Sequence, residues 1–199
     1  VNNIVSLDGF YADAVGNPLV LEMDGAFDQA NLDSISAADI VVLGGSSFDG
    51  MSAYWPFIAD APEPDDAQAP QAREFDDVNR AISRRYNELP KVVVSDRDAV
   101  PVENAWHGST TVVPRADLGT WLETARNDGD GDILVFASHI LWNAMIADGL
   151  VDELHLMISP NALGEGVPLF TGPVRLELLD VRRYEHSSNV QLRYAISSA

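Results

Sequence analysis

The chain has no cysteine among its 199 residues. That excludes disulfides, thiolate chemistry and Cys-ligated zinc. Positive charge is scarce: 12 Lys+Arg stand against 31 Asp+Glu, a formal net charge of −19. Lys91 is the single lysine, and Asp outnumbers Glu about two to one. So negative a chain does not bind nucleic acid or an anionic membrane surface by neutralising phosphates. No apolar run approaches the ~18 residues that suggest a membrane span. The N-terminus lacks the basic-then-apolar layout of a signal peptide. The expectation is a soluble, cytoplasmic protein with no nucleic-acid and no membrane partner. Its acidity reads as a solvated surface or, more sharply, as adaptation to salt.

What is present is material for a core, since 46% of residues are hydrophobic. With no repeat and no linker, and roughly 150 residues per domain as a guide, the expectation is one domain over 1–199. Val1–Leu7 reads as a short strand followed by an Asp8-Gly9 turn. Phe27–Ala38 is weakly helical. Asp39–Leu43 is a continuous apolar run ending in Gly44-Gly45, the pattern of a strand buried on both faces. Ser46-Ser47 can cap a helix over Phe48–Tyr54, stopped by Pro56. Ala59–Pro70 is a Pro- and acid-rich surface loop, expected to be the least ordered stretch. Arg73–Leu89 has apolar residues Phe75, Val78, Ile82 and Tyr86 at helical spacing.

Lys91–Ser95 is a second buried strand, Thr110–Val113 a short one, and Asp117–Arg126 a helix. The acidic turn Asp128–Asp132 lacks the spacing and terminal Glu of a calcium loop. Ile133–Phe136 is the third buried strand. Ser138 can cap a helix over His139–Asp148 that Gly149 ends. Glu153–Ile158 is a strand, and Val174–Tyr184 with Val190–Ile196 forms a hairpin. Buried strands alternating with helices predict an α/β fold in three layers, α/β/α: a mixed, mostly parallel sheet carrying a C-terminal antiparallel hairpin.

In such sheets ligands bind at the carboxyl ends of the strands. Three segments place small or polar groups there: Gly44-Gly45-Ser46-Ser47, Ser95-Asp96-Arg97 and Ala137-Ser138-His139. Two helix N-termini and an arginine could together hold a dinucleotide. Each segment alone also reads as an ordinary strand-to-helix turn. There is no G-x-G-x-x-G and no phosphate-binding G-x-x-x-x-G-K-[ST]. The four histidines share no metal-ligand spacing, so no metal is expected.

These residues also carry a resemblance. Ser6-Leu7-Asp8-Gly9, Asp39–Phe48 with Tyr54-Trp55-Pro56, Leu89–Ser95 and Ile133–Ser138 occur in one order. Gly149–Leu154, Pro160, Leu163–Gly166 and Pro168–Phe170 follow. The set resembles the dihydrofolate reductase-like superfamily, and within it the reductase domain of the bifunctional riboflavin-biosynthesis deaminase/reductase and its stand-alone bacterial relatives. The resemblance implies an NADPH-dependent reductase of a small heterocyclic or carbonyl substrate, and a homodimer. It puts Ser6 near the nicotinamide and Gly44, Gly45, Ser46 and Ser47 at the pyrophosphate and adenosine side. Ser95 and its neighbours would flank the adenosine ribose. Phe136, Ala137, Ser138, His139, Ile140 and Leu141 would hold the pyrophosphate.

Asp8 is the expected catalytic residue, orienting substrate or relaying a proton, and Phe10 and Trp55 would wall the substrate pocket. Asp24 and Asp28 read as solvated loop residues. Two positions depart from the family pattern. Gly45 stands where Arg is common, and Ala137 where Gly is common. Arg97 can restore the lost charge by contacting a 2′-phosphate. If nothing restores it, NADH, a flavin, or a degenerate homologue that binds ligand without hydride transfer becomes the alternative.

Overall fold

A computed structural model of the chain describes residues 1–64, 70–97 and 99–197. Its contacts gather into two compact units. One comprises Val1–Ala30 with His139–Ala199, the other Asn31–Ser138.

The second unit is built on the buried strands. They are β3 (Ala38–Gly44), β4 (Lys91–Val94), β5 (Thr110–Val113) and β6 (Asp132–Val135). The order is β5-β4-β3-β6, all parallel. Val41, Val42 and Leu43 are fully buried, which is why β3 reads as an unbroken apolar run at the centre of the sheet. Each such side chain is worth ~1.5–3 kcal/mol on burial. Phe48, Ile82, Tyr86, Val93 and Trp106 complete the core around them.

The first unit holds β1 (Asn2–Ser6), β7 (Glu153–Ser159), β9 (Leu176–Arg183) and β10 (Val190–Ile196) in the order β1-β7-β10-β9. Here β1 and β7 are parallel, while β10 runs antiparallel to both of its neighbours. A two-stranded antiparallel ribbon pairs β2 (Phe10–Ala12) with β8 (Val167–Pro168). The α/β class, the parallel sheet and the C-terminal hairpin are as the sequence indicated. The hydrogen bonding distributes the strands among three sheets.

Helix boundaries differ from the sequence reading in instructive ways. Helix α1 (Gly25–Ala37) begins two residues early. Asp24 Oδ1 accepts from the Ala26 and Phe27 N–H groups, and Ser187 and Asn189 donate to the same carboxylate. Asp28 is buried. Neither acid is the solvated loop residue expected.

Helix α2 (Gly45–Ile58) starts directly after β3, with Gly44 as its N-cap and no side-chain cap. Ser46 and Ser47 are therefore inside the helix rather than capping it. Pro56 does not stop this helix; it sits in the last turn. The carbonyls at that end are satisfied by helix α3 (Asp77–Glu88): Ser83 Oγ donates to Trp55 O, and Asn87 Nδ2 to Pro56 O. Helix α3 starts at Asp77, not Arg73, because Asp76 caps it by accepting from the Asn79 N–H. Of the Ala59–Pro70 loop, residues 65–69 lie outside the described residues.

Helix α4 (Leu118–Asp128) leads into the acidic turn, where Gly131 N–H donates to Asp39 Oδ2 at 2.6 Å. That turn serves a carboxylate of β3. Helix α5 (His139–Ala147) ends as expected at Gly149, whose φ is +69°. Leu150 N–H bonds Met145 O and Gly149 N–H bonds Ile146 O, the paired closure of a left-handed C-terminus.

Lys91 is only 1% exposed. Its Nζ donates to the Tyr86 and Leu89 carbonyls and lies 4.7 Å from the centre of the Trp106 ring. Burial pulls its pKa down to about 8. The unfolded chain thus binds an extra proton between pH 8 and the ordinary lysine range. Stability contributed through this group rises with pH across that window and is lowest below it. Thermal unfolding should show the native protein gaining on a Lys91→Met variant between pH 8 and 10. A pH-independent difference between the two would refute this reading.

Candidate active site

The carboxyl ends of β3, β4 and β6 bring three expected segments together within the second unit. Gly44 is in register with Val94, and Val42 with Val135. Gly44 N–H donates to Ser138 Oγ at 2.9 Å, and Ser138 N–H donates to Ser47 Oγ at 3.1 Å. This reciprocal pair binds the end of β6 to the start of α2. It explains why Ser47 is not a cap: its hydroxyl faces across the sheet.

Ala137 and Ser138 both have left-handed backbones, with φ of +50° and +53°. That conformation costs an L residue about 1–2 kcal/mol. The expectation that Ala137 replaces a preferred glycine thus has a conformational cause. Ser138 is buried and Phe136 is half-buried, its ring meeting Tyr86 edge-on at 6.3 Å.

Arg97 reaches the same corner. Its guanidinium forms a two-pronged pair with Asp49, Nη1–Oδ1 at 2.8 Å and Nη2–Oδ2 at 3.0 Å. Nε points at Ser95 Oγ at 3.4 Å. A Cβ on residue 45 would lie 2.8 Å from Arg97 Nη2. The absent side chain at Gly45 is the space the Arg97 fork occupies. Asp49 was not singled out from the sequence. It stands four residues after Gly45, one helical turn on, and that spacing is the signal that would have placed it on the same face.

The other expected residues belong to the first unit, except Trp55. Ser6 ends β1, and its Oγ donates to Asp8 Oδ1 at 2.6 Å while accepting from Phe10 N–H at 2.8 Å. Asp8 also accepts from the Leu163 and Gly164 N–H groups at 3.1 and 2.7 Å. The Ser6 hydroxyl and these amides hold its pKa down at about 2. Asp8 is thus an ionised anchor for the 163–164 turn. So low a pKa suits orientation better than proton relay.

His139 is buried, and its Nε2 faces the Pro168 and Leu169 carbonyls, both at 2.9 Å. Two acceptors require the N–H on that nitrogen. The ring stacks on Tyr11 at 4.7 Å. Its side chain is spent on packing and on the 168–169 turn, roles the sequence did not disclose. Leu141 is buried and Ile140 exposed on α5. Trp55 lies against Tyr86, rings 5.4 Å apart, within the second unit's core. Among the described residues, no group of three or more His, Asp and Glu could hold a metal ion.

A parallel sheet with these loops at its strand ends, plus an antiparallel hairpin, defines an α/β protein of dihydrofolate reductase-like fold. Dihydrofolate reductase from Enterococcus faecalis, solved with NADP(H) and RAB-propyl, matches at TM-score 0.58 and 13% identity, covering 99% of this chain and 95% of that one. The chain belongs to the RibD C-terminal domain family, whose model it matches over residues 1–190.

Acinetobacter baumannii RibD, form 2, matches at TM-score 0.66 and 20% identity, over 98% of this chain but 56% of that protein. This chain thus spans little more than half of that relative. A pyrimidine reductase-like protein from Corynebacterium diphtheriae matches at TM-score 0.59 and 15% identity, covering 100% of this chain and 91% of that one. No curated protein matches the sequence.

The strained turn gives a direct test. Changing Ala137 to Gly removes the left-handed penalty but adds backbone entropy to the unfolded chain, so the net gain should be ~0.5–1 kcal/mol. Urea unfolding midpoints measure it. A loss of stability would show that Ala137 is not strained.

Proposed function

We propose that the chain is an NADPH-dependent reductase of a small heterocyclic or carbonyl substrate, working as a single domain over 1–199. The observation that carries this is the convergence of Gly44–Ser47, Ser95–Arg97 and Ala137–Ser138 at the strand ends of a RibD C-terminal domain. The donor set suits an anionic nucleotide. The first turn of α2 has no side-chain cap, so its N–H groups keep free hydrogen-bonding capacity. Arg97 adds a cation beside that turn. Gly45, lacking a side chain, lets backbone and guanidinium share one small region.

The bound cofactor would supply the hydride. The chain's own part is placement. The Gly45–Ser47 amides and the Ser138 hydroxyl would take the pyrophosphate, and Ser95 and Arg97 the adenosine ribose and its phosphate. Ser6 at the nicotinamide, and Phe10 and Trp55 toward substrate, are roles carried over from the family resemblance. Asp8 would act by fixing the 163–164 turn rather than by moving a proton.

NADH or a flavin remains the alternative cofactor, and a degenerate homologue that binds without hydride transfer the alternative function. Ala137 and the engaged Arg97 fork are the observations favouring these. No helix among the described residues is long and apolar enough to cross a membrane. A cytoplasmic setting and a homodimer belong to the same proposal. Strand β9 ends its sheet with Leu178, Leu179 and Val181 at 53%, 46% and 51% exposure, and a second copy could cover them.

Titration with NADPH while following tryptophan fluorescence tests the central reading. Saturable quenching is expected, tighter with NADPH than with NADH. No saturable response to either nucleotide would remove the reductase reading and leave the degenerate homologue.

A further inference from the structure

The Arg97 cation is not free. Its fork faces the Asp49 carboxylate, and Nε is directed at Ser95 Oγ. Each terminal nitrogen keeps one further N–H, so Arg97 can still receive an anion, but only as half of a neutral pair. Asp49 is the fifth residue of α2, one turn in from the helix start and so past the first turn, where the helix dipole acts most strongly on charge. It is more exposed than its partner, with side-chain exposures of 59% against 28%.

We propose that Asp49 is a specificity-determining residue of the nucleotide site. By sharing the Arg97 guanidinium, it sets how strongly this chain prefers a 2′-phosphorylated nucleotide over one without that phosphate. The inference rests on the reductase reading above and deepens it. A carboxylate on the fork both neutralises the cation and repels an arriving dianion. A nucleotide lacking the 2′-phosphate meets both effects only through its pyrophosphate, which the α2 amides hold, and so more weakly. The chain therefore discriminates weakly, and removing the Asp49 charge strengthens discrimination. Gly45 is part of the device: any larger residue there would displace the guanidinium from its position over the helix start.

Calorimetric titration of native protein, Asp49→Asn and Asp49→Ser with NADPH, NADH, adenosine 2′,5′-bisphosphate and AMP tests this without turnover. Asp49 is exposed, so both variants should fold, and thermal unfolding checks that. Both should bind NADPH and the bisphosphate about tenfold more tightly, equivalent to ~1.4 kcal/mol. NADH and AMP should change less than twofold. Adding Arg97→Ala to Asp49→Asn should erase the gain.

An equal change for phosphorylated and unphosphorylated ligands, or none, would overturn the role of Asp49 while leaving the reductase reading intact. A loss of NADPH affinity in Asp49→Asn would also overturn it, by showing that the carboxylate positions the fork productively. If no nucleotide binds native protein or variants, the reductase reading itself falls, and this inference with it.

Discussion

The site depends on one reciprocal contact, the two hydrogen bonds between Ser138 and the Gly44–Ser47 turn. They help to hold two consecutive L residues in left-handed backbone. Two such bonds contribute about 0.5–1.5 kcal/mol each, against about 1–2 kcal/mol of strain per residue. The turn is therefore near balance, and its shape depends on the parallel register of β3 and β6 that presents Gly44 to Ser138. From this follow the early start of α2, the uncapped amides of its first turn, and the corner into which Arg97 reaches.

Charge follows a similar logic. A chain with a net charge of −19 can bind an anion only where local geometry defeats the global field. In the proposed site the helix start and Arg97 would supply that geometry, and Asp49 would moderate it. The same economy appears elsewhere. Asp8 is held by two backbone amides and a hydroxyl, Asp39 by a glycine amide, and Asp24 by four donors from two chain segments. These carboxylates shape turns. Lys91, the lone lysine, likewise serves the core.

Much of this was legible in the sequence wherever a signal is local. The apolar runs of β3, β4 and β6 gave the parallel sheet, the Gly149 cap gave the end of α5, and the ordered motifs gave the family. Segments at strand ends could be named as neighbours because strand direction alone determines where they meet. What could not be read depends on partners far along the chain. Ser47 reads as a cap until Ser138 engages its hydroxyl from 91 residues away. Pro56 reads as a helix stop until Ser83 and Asn87 satisfy the carbonyls around it. Arg97 reads as a free cation until Asp49, 48 residues distant, takes its fork. The partners of the His139 ring, the Pro168 and Leu169 carbonyls, lie some 30 residues away and leave no local signal.

The most direct test of the whole account is amide hydrogen exchange with and without NADPH. The predicted result is new protection concentrated at Gly44–Ser47, Ser95–Arg97 and Ala137–Ser138, with little change in the β9–β10 hairpin. Protection that leaves those three segments untouched while NADPH binds elsewhere would contradict it.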